Sequence, residues 1–205
     1  MKKLMIVALA VLCVAALLPQ TLSAGFGVKG GYSLSKFSMS GTEIPPFTNL
    51  RSPVGGIFFS FNLGPLAIQP EVLYVRMGTE YEFDEDNGLE FCFDYIQVPV
   101  LLKLTIIPLG PVRPVIYAGG YGAYLFKAKG VMTIDGVPAE EDLSEMLQKY
   151  DYGVVGGVGI EFKLAGISLS IEGRYNYGLM NILADPATGE SMKNTSMMAL
   201  VGIGF

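Results

Sequence analysis

The chain has 205 residues, of which 51% are hydrophobic and only 16% are charged, whereas ordinary soluble domains carry roughly 25% charged residues. Its net charge of −5 disfavours nucleic-acid binding, which needs a basic surface. The sequence contains no histidine, which excludes Ser-His-Asp hydrolysis, Asp-His protease chemistry and histidine-based zinc sites.

The N-terminal residues have the pattern of a secretory signal. Two lysines precede an apolar stretch over residues 4–18, and small residues ending at Ala24 offer a cleavage site. We therefore predict a cleaved signal peptide over residues 1–24, with Gly25 as the first mature residue. The remaining residues, 25–205, are predicted to form a single domain.

The mature chain is apolar without containing a membrane helix. Cleavage would leave 12 basic and 19 acidic residues, a net charge of −7. Cys92 would be the single remaining cysteine, so no internal disulfide is expected. No later stretch reaches the roughly 18 apolar residues that a membrane helix needs. The apolarity must therefore lie in a packed β core or on alternating positions of membrane-spanning strands.

Eight segments of the mature sequence alternate apolar and polar residues, which is the signature of β-strands. The clearest is the seventh, in which Ile171 and Tyr175 alternate with Glu172 and Arg174. The predicted strands are Phe26–Phe37, Pro53–Asn62, Leu66–Phe83, Leu89–Ile106, Val112–Lys129, Tyr150–Leu164, Ile167–Ile182 and Asn194–Phe205.

A longer insertion between the fifth and sixth predicted strands favours a short helix. Pro138 would stand at its start, acidic residues occupy the first turn, and Lys149 follows the last turn. Leu143, Met146 and Leu147 would share one face. We predict this helix in the third extracellular loop.

The connections alternate between long loops and short turns, which is typical of outer-membrane barrels with an even number of strands. Hydrocarbon cannot satisfy free strand edges, so the last strand should pair with the first. The fold expected is all-β: an eight-stranded antiparallel transmembrane barrel with both termini on the periplasmic rim. Aromatic residues near the strand ends suit interfacial girdles.

The sequence resembles the PorT-like outer membrane β-barrel domain proteins, which are common in the Gram-negative Bacteroidota. The blocks that carry the resemblance are Gly27–Tyr32, Ile68–Tyr74, Tyr95–Lys103, Arg113–Tyr117, Gly157–Glu161 and Gly202–Phe205. The resemblance implies an eight-stranded barrel in the outer membrane. It also implies a C-terminal insertion signal, carried by Val201, Ile203 and Phe205, for the outer-membrane insertion machinery. One namesake member serves a protein secretion system, but nothing in this sequence singles out that role.

Polar residues fall on the predicted inner face of the barrel. An eight-stranded barrel is just wide enough for side chains to fill it, and charges buried there must pair. We interpret these residues as a structural polar cluster; a proton or ion path and carboxylate acid–base chemistry are the alternatives. The residues are Glu71, Gln97, Lys103, Glu161, Lys163, Glu172 and Arg174.

The favoured function is a monomeric, non-enzymatic outer-membrane protein without cofactor or metal. Its expected partners are outer-membrane lipid, lipopolysaccharide, the insertion machinery and a protein bound by its extracellular loops. One alternative is a narrow porin-like channel or an accessory component of a secretion system. A further alternative is an exported, soluble, lipocalin-like binder, in which Ile171 and Tyr175 would point inward.

Overall fold

The structure is a computed structural model that describes residues 23–40, 48–82, 87–106, 110–184 and 191–205. All regular secondary structure in these ranges is β-strand, and they include no helix long and apolar enough to cross a membrane. The strands are β1 (Ser23–Ser40), β2 (Thr48–Leu63), β3 (Leu66–Glu82), β4 (Gly88–Thr105), β5 (Val112–Ile134), β6 (Val137–Asp142), β7 (Tyr150–Leu164), β8 (Ile167–Gly178) and β9 (Ser191–Gly204).

Eight of these strands close into an antiparallel barrel. The wall runs in the order β1, β2, β3, β4, β5, β7, β8 and β9, and each strand pairs with the next one in this order. β9 returns to β1 along a register that runs from Gly27 opposite Gly204 to Ser40 opposite Ser191. The predicted barrel and its closing strand are therefore confirmed, and the closed ladder leaves no free edge within the wall.

The predicted short helix is wrong, because residues 137–142 form strand β6. Asp135 and Gly136 have φ values of 50° and 74° and connect the extended end of β5 to β6. Asp-Gly favours the tight hairpin turn that requires such angles. Pro138 is compatible with β6 because that strand is an exposed edge, where a missing amide costs little. A turn over residues 144–146 then leads to β7.

The barrel has apolar side chains outside and polar side chains inside over most of its length. On β8, Ile171 and Tyr175 are 59% and 48% exposed, whereas Glu172 and Arg174 are each 4% exposed. This facing is the reverse of the one that a soluble lipocalin-like binder requires. That alternative is therefore wrong.

Several predicted strand boundaries differ from the structure; for example, β2 begins at Thr48 and not at Pro53, and β5 ends at Ile134 and not at Lys129. β8 ends at Gly178 and not at Ile182, which instead lies fully buried inside the barrel. At the other end, Ser23 and Ala24 pair with β2 as part of β1. Residues 1–22 lie outside the described residues, so the predicted cleavage before Gly25 stays a prediction.

Candidate functional site

Four charged side chains form a network at the centre of the lumen. The Lys29 Nζ atom lies 2.7 Å from Glu71 Oε1 and 3.1 Å from Glu172 Oε1. Arg174 donates to both Glu71 oxygens, at 2.6 and 2.8 Å, and also to Glu172. These residues come from β1, β3 and β8, and their charges cancel. We call this set the charged network.

Neutral side chains add hydrogen bonds to the charged network, in which only Arg174 Nε lacks a partner among the described residues. Gln69 donates to Glu71 at 2.7 Å, and Ser170 donates to Glu172 at 3.1 Å. Lys29 lies 4.7 Å from the centroid of the Phe58 ring. Arg174 similarly lies over the ring of Tyr117. Buried ion pairs need such additional partners, because desolvation of each charge costs several kcal/mol.

Lys103 and Glu161 form a separate ion pair of 2.6 Å nearer the chain termini. Both line an open cavity of about 270 Å³, together with Phe58 and Lys163. Lys163 is exposed because it is the penultimate residue of β7, at the open rim of the barrel. It therefore lies in the mouth and not in the filled interior.

The predicted polar cluster is thus divided in space. Glu71, Glu172 and Arg174 meet in the charged network, whereas Lys103 and Glu161 form their own pair. Gln97 is buried, and its Nε2 atom has no hydrogen-bond partner among the described residues. Three of the predicted residues therefore belong to the central charged network, and two form a second pair nearer the chain termini. Gln97 and Lys163 belong to neither group.

Sequence reasoning left Lys29 out of the predicted cluster, although it is central to the network. Alternation along β1 places Lys29 on the same face as Ser33 and Ser35, and all three are buried. That alternation is the signal that could have found it, whereas charge balance could not, because the predicted cluster already held three acidic and three basic residues.

Beyond the charged network, towards the long loops, the interior becomes apolar. Ile182 and Leu147 are buried among inward-facing wall residues such as Met77 and Phe93. Leu143 and Leu183 pack against the same cluster. We call the four leucine and isoleucine side chains the apolar plug; its members are Leu143, Leu147, Ile182 and Leu183.

Backbone hydrogen bonds fix the plug in place. Ile182 accepts from the Gln148 amide at 2.8 Å and donates to the Met192 carbonyl at 2.9 Å. Leu147 and Leu183 form an isolated antiparallel bridge. The segment before β7 and the segment after β8 therefore fold inward together and fill the loop end of the lumen.

A small polar group surrounds a buried carboxylate inside the barrel. Asn194 donates to Asp151 at 2.8 Å and to the Tyr95 hydroxyl at 3.3 Å. Asp151 is 2% exposed, and no described cation forms an ion pair with it. Asp151 lies on β7, and Asn194 lies on β9. The same alternation along β7 that exposes Tyr150 and Tyr152 places Asp151 inside the barrel.

The outer wall near the loop end is polar and contains Cys92. Arg76 on β3 forms an ion pair of 2.7 Å with Asp94 on β4. Cys92 donates its thiol proton to Glu90 at 2.8 Å. Burial, assisted by the Glu90 carboxylate, raises the pKa of the Cys92 thiol to about 12. The thiol is therefore protonated at neutral pH and is a poor nucleophile.

The β5–β6 hairpin carries its own exposed ion pair. Lys129 donates to Glu140, and this contact lowers the pKa of the Glu140 carboxyl. Hydrogen bonds from Ser144 lower the pKa of Asp142 in the same way. Both carboxylates are charged at neutral pH, so the exposed strand β6 presents an acidic edge.

A closed barrel with an apolar outer face and paired charges inside defines an integral membrane protein of the β-barrel class. A family model described as "Outer membrane protein beta-barrel domain" matches residues 19–184. The chain belongs to this family, and it is therefore an outer-membrane protein. No functionally curated protein matches it in sequence.

Solved structures share the fold at low sequence identity. OprG from Pseudomonas aeruginosa is 14% identical with a TM-score of 0.51, and the match covers 89% of this chain and 95% of OprG. A major outer membrane protein from Thermus thermophilus is 13% identical with a TM-score of 0.50, covering 89% and 100%. The outer membrane protease OmpT from Escherichia coli is 8% identical with a TM-score of 0.49, covering 89% and 96%. Likeness at this level concerns the backbone alone.

Proposed function

We propose that this protein is a non-enzymatic, non-conducting outer-membrane barrel that acts through its extracellular surface. The observation that carries the proposal is the filling of the lumen in two successive layers. The charged network occupies the level of the lipid-facing strands, and the apolar plug occupies the loop end. An interior that only just accommodates side chains leaves no room for a substrate or an open path.

The β5–β6 hairpin is the surface that we assign to a protein partner. Residues 129–133 of β5 pair with β4 on one side and with β6 on the other, so only the tip over residues 134–137 extends beyond the ladder shared with β4. Ile134 and Val137 are exposed beside the acidic residues of β6. Exposed apolar groups next to charges are typical of interaction sites.

Single-channel recording in planar bilayers tests the non-conducting lumen. The wild-type barrel should show no current steps under conditions in which a reconstituted porin conducts. A triple variant should conduct because it shortens side chains in both layers of the lumen and removes one charge of each sign. This variant is Ile182→Gly/Lys29→Ala/Glu172→Ala. This variant shows that the assay detects an opened lumen. A reproducible open state of the wild-type barrel would overturn the proposal in favour of the narrow channel.

We also propose that both termini lie on the periplasmic side. The rim with the termini carries tight turns at Gly64-Pro65 and Ala165-Gly166, as periplasmic rims do. Val137→Cys on the hairpin and Ala165→Cys on the opposite turn provide matched, exposed labelling sites. With Cys92 replaced by serine in both variants, a membrane-impermeant maleimide should label the first in intact cells and the second only after permeabilisation. The reverse pattern would invert the orientation.

Membership of the PorT-like subgroup, and with it an origin in Bacteroidota, is a finer proposal that rests on the sequence blocks named above. Two of these blocks, Ile68–Tyr74 and Tyr95–Lys103, lie on the neighbouring strands β3 and β4. Isolation of the intact barrel from native membranes tests a secretion role. Co-purification of secretion components would support that role, and their absence from a barrel that retains other partners would oppose it.

A further inference from the structure

Three cations face outward on three neighbouring strands at the loop end of the barrel. They are Lys193 on β9, Lys36 on β1 and Arg51 on β2. Their strand neighbours Ser35 and Leu50 are buried, so alternation directs the cations to the outside. We call these three residues the basic patch.

The register brings the members of the basic patch close together. Lys36 pairs with Thr195, two residues from Lys193, and Arg51 pairs with Leu34, two residues from Lys36. Diagonal neighbours on adjacent strands are separated by about 7–8 Å, and like charges at such positions repel each other. None of the three forms an ion pair with a described carboxylate. Within the part of the chain that the structure describes, the patch therefore carries positive charge without a paired carboxylate, on a chain that is acidic overall.

The opposite side of the barrel shows a different arrangement. There Asp94 on β4 lies between Arg76 on β3 and Lys127 on β5, at directly paired positions. Asp94 accepts a hydrogen bond from Arg76 at 2.7 Å. That row thus contains its own counter-charge, whereas no described carboxylate pairs with the basic patch.

Exposed apolar side chains lie directly next to the patch on the membrane side. Tyr32 is 69% exposed, Leu34 is 40% exposed and Met197 is 60% exposed. The cations therefore stand at the boundary of the lipid-facing band, at the level of lipid headgroups. An anion bound here would have acyl chains beside the apolar residues and its charge beside the cations.

We propose that the basic patch binds the phosphate groups of a lipid headgroup in the outer leaflet, that is, of lipopolysaccharide. A phosphate carries enough charge to offset more than one cation, and Arg51 can hold two of its oxygens at once. This assignment of the leaflet rests on the proposed orientation, in which the loop end faces outward.

Titration of the purified, detergent-solubilised barrel with bis-phosphorylated lipid A, followed by native mass spectrometry, tests the patch. The variant Lys36→Gln/Arg51→Gln/Lys193→Gln should bind roughly a hundredfold more weakly than the wild-type protein, since each of the three cations near an anionic surface contributes about fivefold. The matched control, Lys127→Gln/Lys129→Gln/Lys149→Gln, removes the same charge from the other side and should bind within about threefold of wild type. Heat-dependent gel migration establishes that both variants are folded.

Equal weakening in the two triple variants would overturn the site, because it would indicate attraction by overall charge. Unchanged binding in the first variant would overturn it as well. Dephosphorylated lipid A should bind no better to the wild-type barrel than to the first variant. Inorganic pyrophosphate should not displace lipid A at equal concentration. Displacement would indicate that the ligand of the basic patch is a free phosphate and not a lipid headgroup. Binding in detergent does not depend on the orientation of the barrel in the membrane. The lipid A titration and the cysteine-labelling experiment can therefore fail independently of each other.

Discussion

The two halves of the lumen are filled by opposite chemistries. At the level of the lipid-facing band, the interior holds Lys29, Glu71, Glu172 and Arg174 in one neutral network. At the loop end, the interior holds mainly the apolar plug and the wall residues around it, with the uncharged Asn194 and the buried Asp151 as a small polar group beside them. The outer surface changes in the opposite sense, from exposed Ile and Val to residues such as Arg76 and Lys127.

In each half of the barrel, the distribution of apolar and polar residues between the inside and the outside follows from what surrounds the wall. Where the wall faces lipid, apolar residues are needed outside, and the interior can hold polar groups that pair with one another. Where the wall faces water, burial of apolar residues inside is again the favourable arrangement. The change occurs near the exposed tyrosines Tyr32, Tyr150 and Tyr152, which suit the membrane interface.

The largest effect is expected from Arg174→Leu in the charged network. Removal of this cation leaves Glu71 and Glu172 with Lys29 alone, and breaking such a buried network costs about 3–5 kcal/mol. The temperature at which the folded barrel shifts its migration on gels should fall. Lys163→Leu, the same change at an exposed cation, should leave it unchanged. A neutral double variant, Arg174→Met/Glu172→Gln, should recover much of the loss. Equal melting of Arg174→Leu and the wild-type barrel would remove the network from any role in stability.

A smaller loss is expected from Ile182→Ala in the apolar plug. The cavity left by a truncated buried isoleucine costs roughly 2–4 kcal/mol, the lower part of the usual range, because the two plug segments can relax. Thermal melting and protease resistance of residues 179–184 measure the effect. Met146→Ala, an exposed residue beside the plug, is the control. A larger loss here than in Arg174→Leu would reverse the ranking of the two layers.

The wall can be tested separately from its filling by deletion of Phe205. The deletion removes two backbone hydrogen bonds to Phe26, of 2.8 and 3.2 Å, at an exposed strand end, a loss of about 1–2 kcal/mol. We expect a stronger effect on assembly than on the folded barrel. The amount of protein in the membrane should fall while the folded fraction melts almost normally. Phe205→Leu keeps the two backbone hydrogen bonds and removes only the aromatic ring. It therefore distinguishes the contribution of the ring from that of the hydrogen bonds. Normal membrane levels after the deletion would count against an insertion signal.

The smallest effect on the barrel is expected from Gly136→Ala at the hairpin tip. Gly136 has a φ of 74°, where a side chain costs about 1–2 kcal/mol. Limited proteolysis over residues 135–142 should accelerate, while the melting temperature of the barrel should stay the same. Gly122→Ala, where an added methyl group meets no atom within 4 Å, should change neither. Loss of barrel stability in Gly136→Ala would indicate that the hairpin supports the plug.

Alternation along the chain was sufficient to predict most of the wall. The strand β7 has the predicted bounds, and the facing of Ile171 and Glu172 on β8 is as predicted. Sequence reasoning failed where one signal was outweighed by another. Pro138 and the acidic residues after it suggested a helix, but Asp135-Gly136 formed a hairpin turn because the end of β5 offered a strand to pair with.

The sequence by itself determined which side chains point inward, because the side-chain period of a strand is a local property. Only the tertiary structure decided which of those side chains meet. Lys29, Glu71 and Arg174 are far apart in the chain, and their contact depends on the stagger of strands around the closed barrel. Ile182 likewise looked like the end of a strand, and its burial arises from a loop folding back into a lumen that exists only after closure.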